Sequence, residues 1–564
     1  MRVVECVPNI SEGRRPEVYE AIARAAARVP GVSLLDVDPG AETNRTVITF
    51  VGEPEAVLEG AYQLIVAALE RIDMTTHRGA HARLGAVDVV PFVPVSGVTM
   101  DDCVVLARRL GERVGRAPVS GQIGVPVYLY EKAASTAERR NLADIRAGEY
   151  EGLAQKLADP AWQPDFGPAE FRPRAGAIVV GARNFLVAYN VNLNTVDKRL
   201  ATRIAGEIRE KGKKRLDAEG KPMIDAAGNE LWEPGLLEGI KAVGWTIPEF
   251  GCAQISINVT DLRATPLHVV FDTCEERARA HGLRVTGSEL VGLVPRDVLL
   301  AAGRHYLTRM GRSTGVAEAA LVHVAVRTLG LSEVKPFDAR QRVIEYRLQP
   351  PAPLVAMSLQ AFADELSSDS PAPGGGSVAA LAGALAAGLA AMVANLSHAK
   401  SGHEAKRPAL ERIAVRGQEL KARLLAAVDA DTKAFDRYLD ALRLPKSSET
   451  EKATRAAAMF EATIGTIEVP MITLEAAPEI VELCLEVGEI GMKASISDAG
   501  SGAEMARAAA SGAYQNVCIN LSGLDDPNAR AAILARADSA WRRTKELSAR
   551  AERTFVDGPR VAAG

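Results

Sequence analysis

The chain has 564 residues and a formal net charge of −4, with 47% hydrophobic and 24% charged residues. This length exceeds what one hydrophobic core usually supports, so about two to four domains are expected, and the composition is typical of a globular protein rather than a disordered one. The weakly acidic charge argues against a general nucleic-acid binder, because that role needs a strong basic surplus to displace counterions.

The cysteines indicate a reducing compartment. Six of them are scattered along the chain without a CxxC pair, at Cys6, Cys103, Cys252, Cys274, Cys484 and Cys518. We interpret them as reduced thiols rather than as a disulfide framework or a zinc site. The N-terminal stretch Met1–Cys6 is too short and too interrupted for a signal peptide. The sequence therefore predicts a cytoplasmic protein.

Strand and helix signals alternate through the first part of the chain, which predicts packed α/β layers. Strands are predicted at Arg2–Pro8, Val32–Val37, Thr46–Val51, Gly85–Val95 and Val125–Tyr130, and helices at residues 18–29 and 57–69 and at Asp101–Arg113.

A polar stretch, Ala158–Arg174, interrupts this alternation, which then resumes. The pattern predicts two α/β subdomains joined near residue 177, with Gly212–Gly235 as a surface hairpin or loop insertion. The second subdomain is predicted to contain strands Phe185–Leu193, Ala253–Val259 and Arg284–Val291 and helices Thr195–Glu210 and Pro266–His281.

The composition changes after Gln349–Pro353, which is predicted to be a linker. Strand signals nearly vanish beyond it, and alanine-rich helical periodicity continues to the C-terminus, so this part is predicted to be all-helical. The predicted domains are residues 1–176 and 177–330 for the two α/β subdomains, 331–354 for the linker and 355–564 for the helical domain.

One helix in the last domain has the length of a membrane span. Val378–Leu396 consists mainly of alanine and glycine, which contribute less to transfer into lipid than leucine or phenylalanine do. Small residues also allow helices to approach closely. A helix buried in the domain or at a subunit interface is therefore favoured, and no membrane association is expected.

Nucleotide-binding motifs are missing from the sequence. The run Pro373–Ser377 nevertheless leads into the predicted helix, where its backbone amides could bind an anion. A tight turn that packs against a neighbouring helix is an equal alternative.

His77 and His81 are four residues apart in a polar loop that precedes a predicted strand. The spacing invites a metal site, but the glutamate of an HExxH motif is absent and Gly79 disfavours a helix. Histidine suits proton transfer near neutral pH because its unperturbed pKa is about 6.5. Either histidine is thus a candidate proton acceptor, with an ordinary surface histidine as the alternative.

One aspartate lies on the apolar stripe of a predicted helix. Asp431 falls on this stripe, whereas Asp429 points roughly the other way and is expected to be solvated. A carboxylate that faces a core costs several kcal/mol unless it is paired, so Asp431 is either part of a buried ion pair or a functional group with a raised pKa. The stripe consists of Ile413, Leu420, Leu424, Val428, Phe435 and Leu442.

Motifs along nearly the whole chain resemble one family, the bifunctional glutamate formimidoyltransferase–formimidoyltetrahydrofolate cyclodeaminases. In the α/β half the matches are Glu5–Gly13, Thr43–Thr46, His81–Ala86, Val125–Tyr130, Pro164–Pro168 and Leu290–Pro295. In the helical half they are Ala372–Ser377, Val428–Asp431 and Tyr514–Leu521.

The resemblance implies two ferredoxin-like α/β subdomains that form the transferase, followed by a helical cyclodeaminase domain. It implies that His81 is the proton acceptor of the transferase and Asp431 that of the cyclodeaminase, and His77 does not match a family residue. The implied folate-binding segment consists of Gly167, Pro168, Ala169, Glu170, Phe171, Arg172, Pro173, Arg174, Ala175 and Gly176.

The implied reaction moves the formimino group of formiminoglutamate to tetrahydrofolate and then cyclises it with release of ammonia, as part of histidine degradation. Both steps need a positioned base and orientation but no metal. The family further implies a homo-oligomer built from dimers and a polyglutamate tail that can tether the folate. Arg172, Arg174, Lys400 and Lys406 are candidates for that tether, with solvated surface charge as the alternative.

Two other functions stay open at this stage. One half alone could be catalytic, with the other retained as a folate-binding or oligomerisation module. The chain could also be a non-enzymatic folate-binding scaffold that associates through its alanine-rich helix.

Overall fold

The chain forms two compact units in the computed structural model. The structure describes residues 2–41, 43–79, 82–116, 118–119, 122–217, 221–225, 228–247, 251–348, 352–370 and 372–557. The first unit, hereafter the α/β unit, consists of Met1–Ala302 and Val326–Gln349, and the second, hereafter the helical unit, consists of Gly303–Ala325 and Pro350–Gly564.

The α/β unit begins with a mostly antiparallel sheet. Its strands are β1 (Val3–Cys6), β2 (Asn9–Ile10), β3 (Val32–Gly40), β4 (Arg45–Gly52) and β5 (Val87–Ser96), and a short hairpin follows with β6 (Pro118–Val119) and β7 (Gln122–Ile123). Two further strands, β8 (Val127–Glu131) and β9 (Ile178–Ala182), extend the sheet parallel to β5. The helices are α1 (Pro16–Ala27), α2 (Pro54–Arg71), α3 (Met100–Arg116), α4 (Leu142–Arg146) and α5 (Leu153–Ala158).

If β1 and β2 are counted as one interrupted strand, the first four strands have the order of a ferredoxin-like sheet. β1 and β2 behave as one interrupted strand that pairs with β4 on one side and β5 on the other, and β3 pairs with β4 at the edge. Helices α1 and α2 bury their apolar residues on one face, where Ile22 and Leu64 pack with Phe50 and Phe92. Burial of the apolar faces of α1 and α2 stabilises the packing of these helices on the sheet.

The second subdomain repeats this topology. Its sheet has the order β13-β14-β10-β15, with α6 and α7 as the crossover helices. The strands are β10 (Val187–Leu193), β11 (Lys213–Lys214), β12 (Trp232–Glu233), β13 (Ile240–Ile247), β14 (Cys252–Val259) and β15 (Val285–Val291), and the helices are α6 (Lys198–Ile208), α7 (Leu267–Ala280), α10 (Ala339–Arg342) and α11 (Ile344–Leu348). Helices α8 (Arg296–Arg309) and α9 (Glu318–Thr328) belong in part to the helical unit, which includes Gly303–Ala325.

The predicted hairpin within Gly212–Gly235 is confirmed for the residues that the structure describes, because β11 and β12 pair antiparallel there. The strand β13 was not predicted. Its buried face presents a glycine, Gly244, while the exposed face carries Val243 and Trp245, which are 55% and 43% exposed. This reversed pattern hides the alternation on which a strand prediction depends.

The helical unit is a bundle around one central helix, α13. The helices are α12 (Leu359–Leu366), α13 (Gly375–His398), α14 (Arg407–Arg443), α15 (Glu449–Ile490), α16 (Ile496–Asn520) and α17 (Pro527–Glu552). Alanines of α13 such as Ala387 and Ala391 are fully buried. Glycines let neighbouring helices come close: a β-carbon on Gly417 of α14 would lie 2.9 Å from the backbone oxygen of Ala387.

Among the described residues, α13 and α15 are long and apolar enough to span a membrane by length and composition. In α13, 61% of the most apolar 18-residue stretch is buried by the bundle, and in α15 the share is 39%. The burial of α13 agrees with the predicted core helix. The predicted fold class, two ferredoxin-like α/β subdomains and an all-helical domain, is confirmed, whereas the domain boundaries stay predictions.

Candidate active sites

Several family motifs of the α/β unit meet at Asn44. The Asn44 side chain accepts a hydrogen bond from the backbone N–H of Gly13 at 3.0 Å and donates one to the backbone oxygen of Arg78 at 3.0 Å. Nearby, the Ser11 hydroxyl donates to the backbone oxygen of Gly85 at 2.7 Å. Asn44 has a positive φ of 49°, a conformation that asparagine tolerates better than most residues. Hydrogen bonds between side chains and backbone thus connect segments that are distant in sequence.

His77 is a buried member of this network. Its Nε2 lies 2.9 Å from the backbone oxygen of Asn44, and its Nδ1 accepts a hydrogen bond from Arg83 Nε at 3.3 Å. A carbonyl oxygen only accepts, so the proton is assigned to Nε2 and the ring is neutral. Burial lowers the pKa of His77 below its ordinary value. Both ring nitrogens are occupied, which fits a structural role.

Arg83 connects this network to the loop that contains Glu149 and Glu151. Its guanidinium binds Glu151 in a bidentate pair at 2.9 and 2.7 Å and Glu149 at 3.0 Å. Arg83 is 7% exposed, whereas the side chains of Glu149 and Glu151 are 46% and 61% exposed, so these charge-assisted bonds are partly screened by solvent. A cleft of about 460 Å³ opens beside it, lined by Arg78, Gly79, Arg83, Gly148, Glu149 and Glu151.

The predicted catalytic His81 lies outside the described residues. In the sequence it falls between Gly79 and Arg83, which both line this cleft.

The predicted folate segment 167–176 runs along the same region. Tyr150, between the two glutamates that bind Arg83, donates to the backbone oxygen of Pro173 at 2.6 Å, and its ring lies 5.5 Å from that of Phe171. The segment ends where the backbone N–H of Ala86 donates to Ala175 at 2.8 Å. The structure therefore brings the folate segment, the Arg83 loop and the cleft together.

The basic residues suggested as a polyglutamate tether have local partners in most cases. Arg172 pairs with Glu170 at 3.2 Å and Arg174 with Asp73 at 3.3 Å. Lys406 Nζ donates to the backbone oxygen of Ile490 at 3.0 Å. Lys400 is exposed.

In the helical unit, Asp431 lies at the N-terminus of α13. Its Oδ2 is 3.2 Å from the hydroxyl of Ser377, and the backbone N–H of Ser377 also donates to it. Gly376 leaves room for this carboxylate, because a β-carbon there would collide with it. The anion at the start of this helix is thus the Asp431 side chain itself, which accepts one of the amide protons that a helix N-terminus leaves unpaired.

Burial raises the pKa of Asp431 above its ordinary value, and the two hydrogen bonds from Ser377 oppose that rise in pKa. The prediction that Asp431 faces inward is therefore supported, without an ion-pair partner among the hydrogen bonds and ion pairs of the described residues. Asn516 of α16 lies near the start of α13: its Nδ2 is 3.3 Å from where a β-carbon of Gly375 would be, and it donates to the backbone oxygen of Gly512. Sequence analysis did not single out Asn516 or Ser377, although both lie in matched motifs.

The expectation that Asp429 is solvated is wrong. Asp429 is 5% exposed and accepts hydrogen bonds from the backbone N–H groups of Leu354 at 3.0 Å and Val355 at 3.2 Å. The helical-wheel argument placed it away from the apolar stripe, which is correct, but the chain entering the bundle covers that side. The apolar stripe is also less buried at its far end, since Phe435 and Leu442 are 36% and 40% exposed.

Within the described residues, no group of three or more His, Cys, Asp or Glu side chains is arranged to hold a metal ion. A second cleft of about 520 Å³ lies between α15 and α17 and contains none of the predicted site residues. The arrangement at Asp431 offers a half-buried carboxylate beside a glycine-lined helix end, and that beside Arg83 offers a charged cleft.

Three family models match the chain in order. They are the formiminotransferase domain, N-terminal subdomain, at residues 3–183, the formiminotransferase domain at 188–349, and formiminotransferase-cyclodeaminase at 358–539.

Curated relatives match over nearly the full length. A formimidoyltransferase-cyclodeaminase from Gallus gallus is 43% identical over 528 residues, covering 93% of each chain. One from Sus scrofa is 41% identical over 552 residues, covering 97% of this chain and 98% of its own. A methenyltetrahydrofolate cyclohydrolase from Methylorubrum extorquens is 36% identical over 169 residues, which cover 30% of this chain and 81% of its own.

The fold and these matches define a folate-dependent, two-activity enzyme whose transferase and cyclodeaminase parts follow one another in one chain. The chain belongs to the formimidoyltransferase-cyclodeaminase family. It is a glutamate formimidoyltransferase and a formimidoyltetrahydrofolate cyclodeaminase of histidine and one-carbon metabolism. The family implies formiminoglutamate and tetrahydrofolate as substrates.

Proposed function

We propose that Asp431 and His81 are the proton acceptors of the two reactions. The observation that carries the proposal is the carboxylate of Asp431 at the start of α13, half-buried, without a cationic partner among the described hydrogen bonds and ion pairs, and with a raised pKa. A buried carboxylate that is not neutralised is costly, so its retention favours function. For His81 the support is the matched motif and the cleft that its sequence neighbours Gly79 and Arg83 line.

In the transferase, His81 accepts the proton that tetrahydrofolate N5 loses as N5 attacks the formimino carbon. A proton then goes to the departing nitrogen of glutamate. Arg83 and the loop around Glu149 and Glu151 shape the cleft. We propose that residues 167–176 contact the folate, supported by the Tyr150 and Phe171 rings, which offer an aromatic surface beside the cleft.

In the cyclodeaminase, Asp431 accepts the N10 proton as N10 attacks the protonated formimino carbon. The same proton is then delivered to the nitrogen that leaves as ammonia, and the methenyl cation keeps the positive charge of the formimino group. One carboxyl thus takes and returns one proton, which needs a pKa between that of a free carboxylate and neutrality.

An assay of both products tests these roles in the whole enzyme. With formiminoglutamate and tetrahydrofolate, Asp431→Asn is expected to release glutamate without ammonia, and His81→Ala is expected to release neither product. His323→Ala changes an exposed histidine on α9 and serves as the matched control. His77→Ala is no neutral control, because it removes bonds to Asn44 and Arg83. Normal ammonia release by Asp431→Asn, or normal glutamate release by His81→Ala, overturns the respective assignment.

The same assay separates the alternatives of a single active half or a scaffold. One active half gives only one product with the unmodified enzyme, and a scaffold gives neither.

We also propose a cytoplasmic homo-oligomer built from dimers that needs no metal. Exposed apolar residues at helical spacing along α13, namely Val378, Leu385, Met392 and Leu396, support an interface between copies. Light scattering tests the mass, and a monomer would contradict the proposal. Chelation is expected to leave both activities unchanged, and loss of activity together with a stoichiometric metal would contradict the metal-free chemistry.

A second candidate activity is hydrolysis of the methenyl product. The 36% identity of 169 residues of this chain to a methenyltetrahydrofolate cyclohydrolase favours it. Water would attack the methenyl carbon: a C–O bond forms and Asp431 takes one of the water protons. The C–N5 bond then breaks as Asp431 returns this proton to N5 and the hydroxyl proton goes to solvent, so that 10-formyltetrahydrofolate and one released proton result. Supplying 5,10-methenyltetrahydrofolate and following its loss tests this activity. A rate with enzyme equal to that in buffer alone excludes it.

A further inference from the structure

Ser377 is the third residue of α13 and is fully buried. Its hydroxyl oxygen has two acceptors within reach: the backbone oxygen of Val428 at 2.9 Å and Asp431 Oδ2 at 3.2 Å. Both acceptors lie on α14, one turn apart. A hydroxyl has one proton, so it donates to one of them at a time while its lone pairs remain available as acceptors.

The two acceptors differ in what they can do. The Val428 carbonyl only accepts, whereas Asp431 accepts when it is ionised and donates when it is protonated. With Asp431 ionised, the hydroxyl can donate to the carboxylate. With Asp431 protonated, the hydroxyl can turn to Val428 and accept the proton of the carboxyl group. A rotation of the Ser377 hydroxyl therefore leaves the half-buried carboxyl of Asp431 hydrogen-bonded in both states.

We infer that Ser377 is a positioning residue of the cyclodeaminase, whose hydroxyl turns between Val428 and Asp431 and holds the carboxyl in one place while its proton comes and goes. The inference rests on the proposed role of Asp431 as proton acceptor. A buried group that changes protonation state without a partner in one of the states would lose free energy at each turnover.

The surroundings of Asp431 isolate this pair. On α13 the facing group is Ser377, on α16 the uncharged Asn516 lies beside Gly375, and on α14 the neighbouring Asp429 is turned to Leu354 and Val355. Among the described residues, burial and the two Ser377 donors account for the pKa of Asp431, with no charged side chain contributing.

The test is the pH profile of ammonia release from 5-formiminotetrahydrofolate by the full-length enzyme. Ser377→Ala removes the donor to the ionised form, so the acid limb of kcat should move to higher pH. We also expect kcat for ammonia to fall about tenfold, the size of one hydrogen bond to a charged group. KM and glutamate release should be unchanged. Ser377→Thr retains the hydroxyl and should restore the profile.

Ser397→Ala is the matched control, because Ser397 is an equally buried serine at the other end of α13 that donates to Val393 at 2.7 Å. It should leave the pH profile in place. Any residual ammonia release by Asp431→Asn should not be lowered further in the double variant Ser377→Ala, Asp431→Asn, since the serine acts through the aspartate.

The outcomes separate this inference from the assignment of Asp431. If Asp431→Asn releases ammonia normally, the proposed proton acceptor is wrong. If Asp431→Asn is inactive but Ser377→Ala keeps the acid limb in place, the inference alone fails, whether or not kcat has fallen. Thermal unfolding will reveal whether Ser377→Thr folds. If it does not, the pH profile of Ser377→Ala and the double variant still test whether Ser377 positions Asp431.

Discussion

Asp429 Oδ1 accepts a hydrogen bond from the backbone N–H of Leu354 at 3.0 Å, across 75 positions in the chain. The second oxygen of the same carboxylate accepts from Val355. Asp429 of α14 therefore binds the backbone of the segment around Leu354, where the chain enters the helical unit. Asp431, two residues further along α14, is bonded instead to Ser377 of α13. The matched motif Val428–Asp431 thus contains one aspartate held by the backbone of Leu354 and Val355 and one held by Ser377.

Asp429→Asn should lower the free energy of unfolding of the helical unit by about 1–3 kcal/mol, because an amide replaces one acceptor oxygen by a donor that faces a buried N–H. Thermal unfolding of the full-length protein measures the change. Asp436→Asn alters an exposed residue of the same helix and should have no effect. An Asp429→Asn protein with unchanged unfolding would contradict the structural role.

Asp431→Asn should be at least as stable as the unmodified protein at neutral pH. The pKa of Asp431 is raised in the folded state, so its ionised form is disfavoured there, and its contribution to stability decreases as the pH rises through that pKa. Removing the charge removes this penalty. Thermal unfolding of the variant at neutral pH and at mildly acidic pH measures the effect, and marked destabilisation at neutral pH would show that the carboxylate is mainly structural.

Arg83→Lys should weaken the transferase. Lysine keeps the charge but cannot bind Glu151 in bidentate fashion while also reaching Glu149 and His77. We expect kcat/KM for glutamate release to fall roughly 10- to 100-fold, chiefly through KM for the folate. Ammonia release from supplied 5-formiminotetrahydrofolate should be unchanged. Arg113→Lys changes an exposed ion pair with Glu59 and is the control. Equal losses of kcat/KM in both variants would contradict a role of the Arg83 cleft in the transferase reaction.

Ala387→Leu should destabilise the helical unit by about 1–3 kcal/mol, because α13 and α14 are in close contact at Gly417 and an added side chain has no room. Ala457→Leu places the same side chain at an exposed position of α15 and should be nearly neutral. The two are compared by thermal unfolding and by solubility. Equal stability of both variants would contradict the close packing.

Local structure could be predicted where the burial pattern follows residue type. The helix expected at residues 18–29 is α1, and that expected at Asp101–Arg113 is α3, because apolar residues recur at helical spacing on the side that faces the sheet. β13 was missed because Gly244 occupies its buried face and Trp245 its exposed face. When tertiary packing rather than residue type decides which face of a strand is buried, the sequence shows no alternation of apolar and polar residues.

The sequence by itself determined the two classes of domain, the helical periodicity that turns Asp431 inward and, through its motifs, the family. It did not determine which groups meet. Periodicity assigns a direction to each side chain, but its partner comes from another part of the chain: Ser377 lies 54 positions from Asp431, and Glu151 lies 68 positions from Arg83. The tertiary structure decided these pairs, because only packing brings distant segments within hydrogen-bond distance and removes the water that would otherwise solvate both partners.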